Sequence, residues 1–450
     1  MLNRPVEKKI REWLDQDTRA LLVNGARQVG KTSSIRNALQ DVPGYDFHEI
    51  NFLEQPELAA AISKAGDAKT LLARLSLMTS APLKKHQTII FFDEVQECPE
   101  LVTMIKFLVD DGSYRYVLSG SLLGVELSGI RSTPVGYLTI LDMYPLTIRE
   151  FYETIGIGDS TFSLVETSFR EQQPMDEFIN KRLLDLFHLY LIVGGMPAAV
   201  QAYINTNNIQ RVSEIQKNIV RLYKEDFSKY DKKEKFLLTD IYDAIPAQLE
   251  EKNRRFIVSK IAGKINFDRV ENKFLWLKNA GVVLPVYNVT EPMVPLKINE
   301  KRNLFKLFMS DTGLLMSYYP NTVKLKILNG EIDVNMGGIY ENIVAQELIA
   351  HSYPLYYYNG KKIGEVDFLL EYNGNLLPLE VKSGKDYKKH PALSALWGIE
   401  NYDISKAFVL CEGNVKNEDR ITYLPLYMAM CIREAPIDNP IIPFDLTGLN

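Results

Sequence analysis

The run Val23-Asn24-Gly25-Ala26-Arg27-Gln28-Val29-Gly30-Lys31-Thr32-Ser33 sets the architecture around it. It follows the apolar strand candidate Ala20 to Val23 and opens a helical stretch from Thr32 to Leu39. Strand, glycine loop and helix in that order make G-x-x-x-x-G-K-T a phosphate site rather than a chance pattern. Gly25 and Gly30 let the loop carrying Ala26, Arg27, Gln28 and Val29 turn its N–H groups inward around a polyphosphate, and the helix N-terminus adds donors and a favourable dipole. Lys31 would reach the outer phosphates of ATP, Thr32 would offer its hydroxyl to Mg²⁺, and Ser33 continues the binding run.

A second stretch says what happens there. Thr88-Ile89-Ile90-Phe91-Phe92-Asp93-Glu94 is apolar after its first residue and ends in two carboxylates, as a buried parallel strand does at its carboxyl end. Asp93 would hold Mg²⁺ through water and Glu94 would deprotonate the attacking water, which reads as hydrolysis rather than passive binding. Tyr114 to Leu118 predicts another strand, ending at Ser119-Gly120-Ser121. In a parallel sheet Ser119 would lie beside the γ-phosphate, the alternative being a simple Ser-Gly turn.

At 450 residues the chain holds about three domains on a ~150-residue prior. A net charge of -5 excludes a globally basic coat, so any nucleic-acid contact is local. The three cysteines lack metal spacing and the five histidines lie far apart, which argues against zinc sites and structural disulfides. No secretory signal and no apolar run of ~18 residues is found, which predicts a soluble, cytoplasmic chain with no membrane partner.

Tyr45 to Phe52 and Val135 to Leu141 predict the remaining strands of an α/β parallel sheet. Together, Gly25 to Thr32, Ile89 to Gln96, Leu118 to Ser121, Tyr144-Pro145-Leu146, Glu150-Phe151 and Gly194-Gly195-Met196-Pro197 resemble a widespread bacterial and archaeal AAA-like ATPase family. Its C-terminal half is catalogued as a domain of unknown function. The resemblance spans nearly the whole chain and implies a lid or connector after the ATPase core, with Gly194-Gly195 either a hinge or a tight helix-helix turn. Members often carry Gly-Arg before the last ATPase strand, suited to an arginine finger acting in a homo-oligomer, whereas this chain has Gly136-Tyr137. Arg131 and Arg149 are the nearby arginines, and ring assembly depends on whether either substitutes.

Between Lys229 and Lys306 sixteen Lys/Arg face ten Asp/Glu, a local excess of six. Three helical stretches, the last from Phe267 to Ala280, followed by two strand candidates give winged-helix order. Arg269, Lys273 and Lys278 would meet duplex DNA phosphates, with Phe274, Leu275 and Leu277 turned to the core; a partner protein is the other occupant such a fold takes.

The C-terminal third carries a second chemical signal. Gly337 to His351 reads as a helix bearing Glu341, and Ile363 to Tyr372 and Leu376 to Lys382 as strands joined by Asn373-Gly374, a two-residue hairpin signal. Pairing Tyr372 with Asn375 sets Asp367 opposite Glu380 and Glu365 opposite Lys382. Like charges opposed in an antiparallel pair need a reason, and Mg²⁺ or Mn²⁺ between the carboxylates supplies one, with Lys382 polarising water or phosphate. Asp367, then Glu380-x-Lys382, resembles the restriction-endonuclease-like core in αβββαβ order. That resemblance implies metal ligands Glu341, Asp367 and Glu380, and a catalytic Lys382. A degenerate, non-cutting form stays open.

The expected organisation is a P-loop ATPase domain over 1–155, a helical connector over 156–228, a winged-helix-like domain over 229–310 and a nuclease-like α/β domain over 311–450. The expected activity is ATP hydrolysis coupled to DNA binding, with metal-dependent phosphodiester cleavage as a further arm. The rival is a nucleotide-controlled switch or scaffold.

Overall fold

The computed structural model describes residues 2, 4–78, 82–120, 136–230, 235–251, 253–262, 270–331, 335–384, 386–399, 402 and 404–434. Arg131 and Arg269 lie outside them.

Strands β1 (Ala20–Asn24), β2 (Asp46–Asn51), β3 (Thr88–Asp93), β4 (Arg115–Gly120) and β5 (Leu138–Asp142) form an all-parallel sheet in the order β2-β3-β4-β1-β5. Side chains alternate between its faces. Leu21, Val23, Ile89, Phe91 and Val117 meet helices Pro5–Gln16 and Lys31–Leu39 on one side. Ala20, Leu22, Ile90, Phe92 and Leu118 meet helices Pro56–Ser63, Ala68–Met78 and Pro99–Asp111 on the other. Covered on both faces, β3 is buried at all six positions, which is why it reads as an unbroken apolar run. The register pairs Val23 with Ser119 and Asn51 with Asp93, so β1, β2, β3 and β4 deliver polar residues to one carboxyl edge.

Helices Ile148–Thr154, Asp159–Glu171, Glu177–Val193, Pro197–Thr206 and Ile209–Tyr230 follow, the first opened by a Thr147/Glu150 capping box. Between the third and fourth, Gly194 (φ 71°) and Gly195 make a turn into which other segments press. A β-carbon on Gly194 would strike the Asp311 carboxylate, and one on Gly195 the Leu146 carbonyl. Gly195 N–H donates to Asp311 Oδ2 (2.6 Å), and Leu146 N–H to the Gly195 carbonyl (2.7 Å). Of the two readings of this turn, close approach accounts for the glycines; a turn bonded on both sides is a poor hinge.

Helices Lys235–Leu249, Ser259–Ala262 and Glu271–Asn279 precede β6 (Val283–Val289) and β7 (Glu300–Met309). These two strands are antiparallel partners, as a wing would be, yet they continue into a larger mixed sheet. With β8 (Tyr356–Gly360), β9 (Gly364–Tyr372), β10 (Asn375–Val381), β11 (Ala407–Cys411), β12 (Lys416–Glu418) and β13 (Ile421–Pro425), its order is β12-β13-β11-β10-β9-β8-β6-β7. The sheet therefore runs across the division drawn at 310. The β9-β10 hairpin has the register that Asn373-Gly374 predicts, from Asn375 opposite Tyr372 to Leu379 opposite Phe368. Both turn residues have positive φ, 49° and 78°, as an Asn-Gly turn of this kind requires.

Helix Gly337–Ala350 is buried at every residue from Gly337 to Leu348. Its polar side chains are consequently bonded. Asn342 accepts from Met309 N–H (2.8 Å) and donates to the Met309 carbonyl (3.0 Å), Gln346 accepts from Thr312 N–H (2.9 Å), and Glu347 accepts from Ile148 N–H (2.7 Å). One helix thus joins the mixed sheet to the segment leaving the first sheet. Among the described residues no single helix is long and apolar enough to cross a membrane.

Candidate functional site

The loop after β1 is shaped by close approach. A β-carbon on Gly25 would strike the Met143 carbonyl, while Gln28 and Gly30 take φ of 67° and 98° before helix Lys31–Leu39 begins. Lys31 Nζ donates to the carbonyls of Gly25 and Ala26, each at 2.9 Å, and burial pulls its pKa down to about 8. Across from it, Asp93 collects three donors: Thr32 Oγ1 (3.0 Å), Asn51 Nδ2 (3.3 Å) and Ser119 Oγ. Burial raises the Asp93 pKa and the neighbouring Glu94 adds to it, against the Ser119 and Thr32 hydroxyls that lower it. Glu94 sits at φ 55° just beyond β3 and accepts a bond from Gln96 Nε2. Lys31, Thr32, Asp93, Glu94 and Ser119 thus converge from β1, β3 and β4, and Asn51 joins them from β2. One carboxylate beside one hydroxyl fits Mg²⁺, which takes few protein ligands and keeps most of its waters.

The loop also touches the helical connector. Arg27 Nη1 bonds both oxygens of Asp226 (2.8 and 2.9 Å), and Tyr223 Oη donates to the Arg27 carbonyl (2.9 Å). Buried Arg4 ties the Val29 carbonyl (3.2 Å) to Glu150 (2.7 Å) and the Tyr144 carbonyl (2.9 Å). Sequence reasoning did not single out Arg4, Asn51 or Asp226, because each is marked only by a partner distant in sequence. As for an arginine finger, Arg149 pairs with Glu153 (2.9 Å) and Glu166 and lies over the Phe162 ring, so it is engaged within its own chain.

In the C-terminal half, Glu341, Asp367, Glu380 and Lys382 come together, but not as a metal cluster. Among the described residues no group of three or more His, Cys, Asp or Glu is arranged to hold a metal ion. Lys306 of β7, 0% exposed, places Nζ 3.0 Å from Glu341 Oε2, 2.7 Å from Glu365 Oε1 and 3.6 Å from Asp367 Oδ1. Arg254 bonds the other Glu341 oxygen, Val381 N–H bonds Asp367 Oδ2 (2.9 Å), and Lys382 Nζ bonds Glu380 Oε2 (2.8 Å). The expected Mg²⁺ or Mn²⁺ ligands Glu341, Asp367 and Glu380 therefore do not fit a divalent ion: the charge that would draw one is met by the chain's own cations. Burial drives the Glu380 pKa up to about 8, with Asp367 adding to it. Burial also acts to raise Asp367, yet Lys306 and Arg254 hold it below its ordinary value.

The local basic excess is smaller in space than in sequence. Arg254 and Lys306 are spent on Glu341, Lys260 on Glu251, and Lys297 and Arg302 on Glu300. In helix Glu271–Asn279, Phe274, Trp276 and Leu277 are buried and Leu275 only partly so; Lys278 is exposed, its ammonium over the Tyr287 ring.

Residues 17–152 match the AAA domain family, 184–324 a domain of unknown function (DUF8612) and 336–428 a second domain of unknown function (DUF4143). No curated protein sequence matches the chain. Similar solved structures include the Walker-type ATPase PABY2304 of Pyrococcus abyssi, with 16% identity, a TM-score of 0.41, and coverage of 70% of this chain and 95% of that one. Another is the ORC1 protein of Aeropyrum pernix in complex with DNA, with 14% identity, a TM-score of 0.29, and coverage of 74% and 93%. Domain III of the Thermotoga maritima replication initiation protein DnaA gives 13% identity, a TM-score of 0.27, and coverage of 49% and 94%. Residues 17–152, with this sheet order, loop and acidic strand end, form a P-loop ATPase domain similar to the AAA family. In this chain the AAA domain is followed by two domains of unknown function.

Proposed function

We propose that the chain hydrolyses ATP and that its nucleotide state acts on a C-terminal half that contacts duplex DNA. The observation that carries the first part is the convergence of Lys31, Thr32, Asp93, Glu94 and Ser119 on the carboxyl edge of one parallel sheet. In this reading the loop from Gly25 to Ser33 cradles the phosphates, and Lys31 exchanges the two carbonyls it now bonds for anionic oxygens. Thr32 and Asp93 would hold Mg²⁺, which would supply charge to offset that of the phosphates. Glu94 takes the proton of the attacking water, and the Ser119 hydroxyl orients toward the outermost phosphate. The Arg27-Asp226 pair and the Tyr223 bond offer a route by which loop movement reaches the connector.

The test is phosphate release and nucleotide binding in two variants. Lys31→Ala is expected to abolish ATP binding with the fold retained. Glu94→Gln is expected to keep ATP bound and lower kcat by at least about 10²-fold, since it removes only the base. Normal turnover in Glu94→Gln would refute the assignment. The C-terminal carboxylates take no part in this chemistry.

A further inference from the structure

The C-terminal acidic centre lies on elements distant in sequence: Glu341 on helix Gly337–Ala350, Glu365 and Asp367 on β9, Glu380 on β10. Lys382 follows β10 directly, but the other two cations come from outside these elements. Lys306 belongs to β7, and Arg254 precedes the isolated bridge that pairs Arg255 with Lys306. Both oxygens of Glu341 and both of Asp367 are engaged, by Arg254 and Lys306 on the one and by Lys306 and Val381 N–H on the other. Lys306 also lies 5.3 Å from the centre of the Tyr357 ring, which adds a face of partial negative charge. Four carboxylates thus face the three cations Lys306, Arg254 and Lys382. A buried acidic group this well compensated gains little from a divalent ion, which would meet a fixed ammonium where its ligands are.

We infer that the Lys306 ammonium is the resident cation of this centre. It takes the place between Glu341 and Asp367 that a divalent ion would need, so the centre binds no Mg²⁺ or Mn²⁺ and does not cut phosphodiester bonds. Its work is to staple β7 and the Arg254 segment to β9 and helix Gly337–Ala350. The one positive charge that bars the metal is also the one whose removal would admit it.

The inference is independent of ATP hydrolysis and is tested on the full-length, nucleotide-free chain. Mn²⁺ binding is followed by electron paramagnetic resonance in four proteins: the natural chain, Asp367→Asn, Lys306→Met, and the double variant. The natural chain and Asp367→Asn are expected to bind Mn²⁺ alike. Lys306→Met is expected to gain one Mn²⁺ per chain, which the double variant loses. Mn²⁺ binding or metal-dependent DNA cleavage by the natural chain that Asp367→Asn abolishes would overturn the inference, as would a folded Lys306→Met that gains no site. Should Lys306→Met not fold, melting of Asp367→Asn in EDTA decides. A lower Tm than the natural chain supports the ammonium staple, whereas an unchanged or higher Tm, expected of a metal centre relieved of like-charge repulsion, refutes it.

Discussion

Glu347 is buried in helix Gly337–Ala350, with Oε1 bonded to Ile148 N–H and Oε2 3.8 Å from His351 Nε2. Burial pushes its pKa up to about 8 from an ordinary 4.5. Between those values the folded chain keeps a proton that the unfolded chain has released, so this contribution to stability is full at low pH and is lost as pH rises toward 8. Asp311, raised by burial to about 6, acts in the same direction over a lower window. His351, lowered by burial to about 4 from 6.5, acts oppositely, adding stability as pH rises to 6.5. Between pH 6.5 and 8 Glu380, raised to about 8, and Glu341, raised to about 7, act in the same direction, so the share of Glu347 is the difference between the natural chain and a variant that lacks its proton. There the Tm of the natural chain is expected to fall more steeply than that of Glu347→Gln, whose amide keeps an acceptor for Ile148 without a titratable proton. Parallel melting curves for the two across that range would show that Glu347 is ionised in the fold.

The elements differ in what they ask of their charges. Helix Glu271–Asn279 buries Phe274, Trp276 and Leu277 and leaves Lys278 exposed, so reversing its lysines tests surface electrostatics with little cost to the core. If the helix contacts duplex DNA, Lys273→Glu together with Lys278→Glu is expected to weaken binding at every sequence. It is also expected to reduce the slope of log affinity against log salt by about 2, near 0.9 for each phosphate no longer neutralised. Binding measured by anisotropy at several salt concentrations checks this; an unchanged slope would move the DNA-binding surface elsewhere. β7 asks the opposite of its lysine. Lys306 interrupts a strand whose last five residues, Phe305 to Met309, are all buried, and an unpaired ammonium there would be prohibitive without the carboxylates of β9 and the helix.

At the scale of the molecule, one apolar core runs from Leu21 and Val23 in the first sheet through Tyr190 and Leu191 in the connector to Leu424 and Tyr427 near the described C-terminal end. The divisions at 155 and 310 therefore cut through this core, while a second cluster stays within the first sheet's layer, from Ala20 to Leu118, and a third, including Val366, Leu369 and Val409, stays with the mixed sheet. A fragment beginning at Asp311 would lose β6, the partner of β8, together with Lys306 and the Met309 backbone groups that satisfy Asn342. It would leave Glu341 and Asp367 buried and uncompensated, a loss on the order of 3–5 kcal/mol for a broken buried pair. Such a fragment is expected to show no cooperative thermal transition, whereas the full chain melts cooperatively and gains Tm with ATP. A sharp transition in the fragment would show that the C-terminal segment folds alone.

What depends on neighbours along the chain was legible from the residues alone. The Gly25 to Ser33 loop, the buried β3 ending at Asp93-Glu94, and the β9-β10 hairpin with its register are written in turn residues, apolar runs and period-two patterns that act over a few residues. The register was legible for the same reason from Tyr372 and Asn375 as far as Phe368 and Leu379, where the ladder ends one pair short of Asp367 and Glu380. How those carboxylates are answered was settled by the folded chain and by nothing short of it. Lys306 counts in the sequence as one more positive charge in a basic segment, and its partners Glu341 and Asp367 lie 35 and 61 residues further on. The same holds for the joining of β6 and β7 to β8 and for the meeting of Gly195 with Asp311. A buried charge is stabilised by whichever opposite charge the fold carries to it, and a local pattern sets the need for a partner without naming it.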